Sequence, residues 1–319
     1  MSAAFDTAIE ETSEALVGPL RGPRQMLATQ EYDSHASIHD DATAQKLGFK
    51  GGTIEGPTHF SQFAPLCVKL WGAKWFEAGC LSAHYRNPCF EGERVRAYVA
   101  KPAPGAHQTS IWMLREDGVE ILKGTASIGA DHPPTALEQR LTELRPPEQR
   151  VILRDVTVGM RSPRLKVKMD ATQHMGALYP FSLADKLEVI TERSPWYSAA
   201  GATTSPWSRA IIPFEMISVL LNHSTWSVQF PIKGPVVGLF ADQEIRLIRG
   251  PLFVGEEYEI EREIVALSGS KRTESMWVRT SVYPPGSTQS CATMLLNSAY
   301  LKDSYANYAT DAAALAASS

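Results

Sequence analysis

One phrase occurs twice in this chain, and that limits what it can fold into. Arg86-Asn-Pro-Cys-Phe-Glu-Gly-Glu93 is echoed by Arg249-Gly-Pro-Leu-Phe-Val-Gly-Glu256, an offset of 249 − 86 = 163 residues that keeps Arg, Pro, Phe, Gly and Glu in matching places. Ahead of each copy lies a run that is apolar nearly all round, PTHFSQFAPLCVKLWGAKWF from Pro57 and PFEMISVLLNHSTW from Pro213. That is the pattern of a helix enclosed by protein. Around and after each copy the period changes to that of strands: LSAHYRNPCFEGERVRAYVA, SIWMLRED and VEILKGTASIG in the first half, VGLFADQEIRLI, EYEIEREIVALS, SMWVRTSVY and CATMLLNSAYL in the second. Asp117-Gly118 between two alternating runs predicts a hairpin with a type I′ turn. Each half is therefore expected to be one structural unit, a buried helix followed by an antiparallel meander.

The 319 residues suffice for two such units with real cores. We place the first at 1–132, a helical linker at 133–149 with proline pairs at both ends, the second unit at 150–302, and a mobile tail at 303–319. Asp6 to Val17 reads as a short helix stopped by Gly18 and Pro19. A net charge of −4 supplies no basic field for nucleic acid or an anionic membrane, so neither is expected as a partner. The N-terminal segment has acids throughout and lacks the apolar core of a signal peptide, and no apolar run is long enough to span a bilayer. Cys67, Cys80, Cys89 and Cys291 lack the close pairing of a zinc site. A reduced, cytoplasmic protein with no cofactor is the expectation.

The chemistry-bearing residues concentrate between Glu31 and Phe60, in EYDSHASIHDDATAQKLGFKGGTIEGPTHF, immediately before the first enclosed helix. His35 and His39 stand four apart and are flanked by Asp33 and Asp41, but nothing completes a metal motif, so no metal is expected. His39-Asp-Asp41-Ala-Thr-Ala44-Gln-Lys-Leu-Gly48-Phe49 matches His-x-Asp-x-x-Ala-x-x-x-Gly-Phe at each spacing. With Ile54-Glu-Gly56 leading into the helix, and the aromatic, Pro and Gly-Glu of Tyr85 to Glu93, it resembles the MaoC-like (R)-specific enoyl-CoA hydratases and dehydratases of the double hotdog type.

The resemblance implies an α+β fold of two tandem hotdog units, each a long buried helix wrapped by an antiparallel sheet. It implies a hydro-lyase that hydrates an enoyl thioester, or dehydrates a 3-hydroxyacyl thioester, carried by coenzyme A or an acyl carrier protein. The chain would act as a homodimer or be paired with a related hotdog chain. Its catalytic groups would be His39, an acid, and the backbone N–H of Gly56 as oxyanion donor. The family's acid lies five residues before the histidine, where this chain has Ser34. Asp33 stands one residue earlier and is the implied partner, with Ser34 and His35 beside it as substrate contacts. His59 would line the pocket or serve as a packing residue in the helix's first turn. Trp196, Tyr197 and Trp207 would shape an acyl cavity or belong to the core. The alternative for His39 is a turn residue capping the segment Asp40 to Leu47, and for Asp41 a helix anchor. Arg161, Arg164, Lys166 and Lys168 form a basic strand that is either a solvated face or a landing for coenzyme A phosphates. The rival functions on this fold are a thioesterase, and an acyl-CoA-binding scaffold without turnover.

Overall fold

A computed structural model describes residues 4–31, 37–147 and 149–317. The first half contains β1 (Glu10–Glu11), β2 (Ala15–Val17), α1 (Asp41–Lys46), a 3-10 stretch Gly56–Phe63 running into α2 (Ala64–Trp71), then α3 (Trp75–Ala78), β3 (Gly79–Tyr85), β4 (Val95–Ala100), β5 (Gln108–Arg115) and β6 (Glu120–Ile128). After α4 (Ala136–Thr142) come β7 (Leu165–Lys168), α5 (Leu183–Val189), α6 (Phe214–Asn222), β8 (Gly238–Leu247), β9 (Glu257–Gly269), β10 (Thr273–Tyr283), β11 (Ala292–Leu301) and α7 (Tyr308–Ala317).

These strands form one sheet in the order β1-β2-β4-β5-β6-β3-β8-β11-β10-β9-β7. Outward from the centre, β3-β6-β5-β4-β2 on one side is matched by β8-β11-β10-β9-β7 on the other. The duplicated phrase thus corresponds to a duplicated topology, with the antiparallel pair β3–β8 at its axis. Inside the sheet lie the two apolar helical runs. Phe60, Phe63 and Leu66 of the first and Phe214, Met216 and Leu220 of the second are fully buried, and Phe214 stacks on Trp75 with ring centroids 4.9 Å apart. Each such side chain contributes about 1.5–3 kcal/mol by leaving water.

Three local expectations are corrected. The segment Asp6 to Val17 is extended: β2 pairs with β4 and buries Ala15, Leu16 and Val17, covering a sheet edge that a helix would leave unpaired. The first enclosed run is a broken helix, 3-10 up to Phe63 and α-helical from Ala64. Pro65 cannot donate to the preceding turn, and Gly72 ends α2 at φ +63°. In the hairpin after β5 only Gly118, at φ +88°, is left-handed, and the ladder shifts register at Met113/Leu114, so the turn is not type I′. The closing segment forms α7 with no buried residue, and the hydroxyl of its first residue, Tyr308, donates to Glu274 at 2.9 Å.

The basic strand faces acids. Arg161, Arg164 and Lys166 pair with Glu263, Glu259 and Glu257 on the outer face of β9 at 3.1, 3.1 and 2.8 Å.

The seam between the halves is held by polar groups as well as by its ladder. Asp242, fully buried on β8, accepts from His84 Nδ1 at 2.5 Å across the seam and from Asn297 Nδ2 at 2.7 Å, and ion-pairs with Arg140 of the linker helix at 3.0 Å. The same helix opens with a capping box between Thr135 and Glu138, and Thr135 also donates to Glu244 on β8 at 2.6 Å. The linker therefore clamps the junction. Replacing Asp242 by Ala leaves Asn297 buried without its acceptor, and loses the hydrogen bond from His84 and the ion pair with Arg140, groups that can partly rehydrate. We predict a loss of roughly 3 kcal/mol in unfolding free energy, measured by urea titration, with little change in slope.

Candidate functional site

The motif around His39 is built by short-range stitching. Asp40 caps α1, its side chain accepting from Thr43 N–H at 2.8 Å. Asp41 accepts from Gly52 N–H at 2.7 Å and so anchors the helix start to the returning chain. A Cβ on Gly52 would lie 2.2 Å from the His39 carbonyl oxygen, so only glycine permits this approach. Gly48 stops the helix at φ +86°, and Phe49 N–H turns back to the Ala44 carbonyl at 3.0 Å. Most of the motif is thus accounted for by backbone geometry.

What that geometry positions is the His39 ring. Its Nδ1 lies 2.6 Å from the Thr53 carbonyl oxygen, an acceptor only, so Nδ1 carries the proton and Nε2 is left with its lone pair. Gln25 Nε2 donates to that same carbonyl at 2.7 Å and steadies it. Burial draws the imidazole's pKa down to about 4, against the opposing pull of the Thr53 bond, so the ring is neutral at physiological pH. His39 therefore has the tautomer of a base and is not the helix cap.

His39 is one of the residues lining a cavity of about 1030 Å³ to which both halves contribute. Glu55, Gly56, His59 and Tyr85 join it from the first half; Tyr179, Arg262, Trp277 and Met294 come from the second. Gly56 is the first residue of its helix, so its N–H has no acceptor within that helix. A Cβ there would sit 2.5 Å from the Tyr85 ring, which covers it. His59 is buried with Nδ1 unpartnered, and burial together with Lys186 brings its pKa down to about 4.

His39, Gly56 and His59 are thus brought to one cavity. Asp33, Ser34 and His35 lie outside the described residues. Trp196, Tyr197 and Trp207 are corrected: they do not line the cavity but pack around Phe76, at ring distances of 6.0, 6.3 and 6.4 Å, because this aromatic cluster fills the core beneath α3. Among the described residues no group of three His, Cys, Asp or Glu is arranged to hold a metal.

Sequence reasoning passed over the charged groups between the helices. Lys186 of α5 lies 3.3 Å from Glu215 of α6 and donates to Thr58 at 3.3 Å. Burial raises the Glu215 carboxyl despite that ammonium. Glu55, 9 % exposed, is pushed up to about 7 by burial, against the lowering effects of Lys186 and the Tyr179 hydroxyl. The available signal was a single acid within each otherwise apolar stretch, in TIEGP and in PFEMISVLL.

With this geometry in place, the fold can be compared with known ones. It is a double hotdog. The chain is similar over 94 % of its length, and 95 % of the other chain, to a protein from Chloroflexus aurantiacus J-10-fl assigned to the MaoC-domain dehydratases, with 12 % identity and a TM-score of 0.54. It is also similar to a conserved Mycobacterium tuberculosis protein with a double hotdog fold, over 91 % of this chain and 97 % of that one, with 11 % identity and a TM-score of 0.52. No protein-family model and no curated protein sequence matches the chain.

Because the folded carboxyl of Glu55 holds its proton between pH 4.5 and about 7 while the unfolded one has released it, raising pH through this window favours unfolding. Relative to Glu55→Gln, the wild type should lose about 3 kcal/mol of stability between pH 4.5 and 8, at about 1.4 kcal/mol per pH unit. Parallel denaturation curves across that range measure it. A constant difference would show that Glu55 is ionised throughout.

Proposed function

We propose that this cavity adds water to an enoyl thioester, or removes it from a 3-hydroxyacyl thioester. The supporting observation is the His39 ring, with Nδ1 committed to the Thr53 carbonyl and the basic nitrogen left for the cavity it shares with the Gly56 N–H. In the hydration direction Nε2 takes a proton from water, the hydroxyl oxygen bonds to C3, and a proton is delivered to C2 as the enolate collapses. The Gly56 N–H, at the positive start of a buried helix, stabilises the enolate oxygen. Asp33 is the companion acid that the motif implies. Glu55, carrying a proton near neutral pH in the described wall, is the group against which Asp33 is tested.

The His-x-Asp-x-x-Ala-x-x-x-Gly-Phe spacing and the double hotdog fold support the thioester. Within this reading the carrier is coenzyme A or an acyl carrier protein, and the enzyme works in the cytoplasm as a dimer with itself or a related chain. No described helix is long and apolar enough to cross a membrane.

His39→Ala should lower turnover by about 100-fold or more, followed as loss of the enoyl absorbance band, while the thermal midpoint moves little. Free thiol release without loss of that band would identify a thioesterase instead, and tight binding with neither signal a scaffold. Asp33→Asn and Glu55→Gln, assayed side by side, identify the acid: the one that removes turnover at unchanged binding carries the proton.

Gly56→Ala drives a methyl group into the Tyr85 ring and shifts the helix start. We expect at least about a tenfold loss of kcat from a small displacement of the donor. Adding Tyr85→Ala should relieve the clash and restore part of it.

A further inference from the structure

Strand β9 alternates strictly through EYEIEREI. Glu257, Glu259, Glu261 and Glu263 are part-exposed on the outer face, and Tyr258, Ile260, Arg262 and Ile264 point inward. A guanidinium 4 % exposed thus stands in a row of apolar side chains. Nη2 donates to the Leu221 carbonyl at 2.6 Å and to Ser224 Oγ at 3.0 Å, near the C-terminal end of α6. Nη1 is buried with no partner, and Arg262 is among the residues lining the cavity.

Among the described residues no carboxylate ion-pairs with it. Among the described residues, buried Lys186 faces Glu215, Glu192 faces Arg21 at 2.8 Å, Glu244 faces Arg246 at 3.2 Å, and Glu274 accepts from the N–H groups of Val151 and Leu153. Burial lowers the Arg262 pKa only to about 10, so the group stays charged at neutral pH. An uncompensated buried cation costs several kcal/mol. The contact with Leu221 does not account for that cost, because a neutral amide could donate there equally well. A cation with no counter-charge among the described residues, on the wall of a cavity, is suited to an anion that arrives with the ligand. Thr280 is the residue paired with Arg262 on β10 and lines the same cavity.

We propose that Arg262 is a ligand-binding residue whose Nη1 pairs with an oxyanion carried by the bound molecule, so that the substrate is an acyl thioester bearing a second negative group, a carboxylate, on its acyl portion. This rests on the thioester reading of the cavity. The carrier phosphates are the other source of an oxyanion, and the test separates the two.

The test measures binding by calorimetry on the full chain, with saturated thioesters that cannot react: glutaryl-CoA against valeryl-CoA, adipyl-CoA against hexanoyl-CoA, and coenzyme A alone. The wild type should prefer the carboxylate-ended member of a pair by about tenfold or more. Arg262→Gln, which keeps a donor for Leu221, should bring that ratio close to one, and Arg262→Lys should retain part of it. Equal binding within both pairs by the wild type overturns the acyl carboxylate. If, in addition, Arg262→Gln weakens coenzyme A alone, the oxyanion is the carrier phosphate; if it does not, the anion site falls altogether. If neither thioesters nor coenzyme A bind, the thioester reading fails. The anion site is then judged by thermal shift with free glutarate and adipate: stabilisation of the wild type but not of Arg262→Gln upholds it, and no shift removes it. Should Arg262→Gln not fold, the wild-type ratio and its reduction in Arg262→Lys decide the matter.

Discussion

The pairing of β3 with β8 is the contact on which the rest of this structure depends. Each half-sheet alone would expose a strand edge of unpaired N–H and C=O groups, and each enclosed helical run would lack one wall. Joining Cys80 to His84 with Asp242 to Arg246 in register closes both deficits together. The cavity then belongs to neither half: His39 and Gly56 reach it from one, Tyr179 and Arg262 from the other.

The interior so made carries charged groups as well as apolar ones. Asp242 and Glu244 serve the seam, where the linker helix and the strands of both halves meet them. Glu55, Lys186 and Glu215 occupy the space between the helices, where their mutual attraction competes with the cost of leaving water. The consequence is a carboxyl poised near neutrality on the wall of a cavity that the neutral His39 also lines.

Much of this was legible in order along the chain. The phrase at Arg86 and its echo at Arg249 announced the duplication, and the apolar runs and alternating strands announced what was duplicated. The motif at His39 could be read because its spacing is set locally: Asp41 must reach Gly52, and Gly48 must stop α1. The acyl-cavity reading of Trp196, Tyr197 and Trp207 failed because an aromatic side chain has the same appearance in sequence whether it faces Phe76 or an opening. Ala15 to Val17 was misread as helical because three apolar residues carry no period until a neighbouring edge such as β4 is available.

The sequence by itself determined the two-unit architecture, the enclosed helices and the histidine at the head of the first, since periodicity and turn chemistry act over a few residues at a time. Only the tertiary structure decided which tautomer His39 adopts, that Glu55 lies beside Lys186 and Tyr179, and that Arg262 is buried with no counter-charge among the described residues. Those properties depend on distances between groups far apart in the chain and on exclusion of water around them. Neither exists until the two halves close on one another.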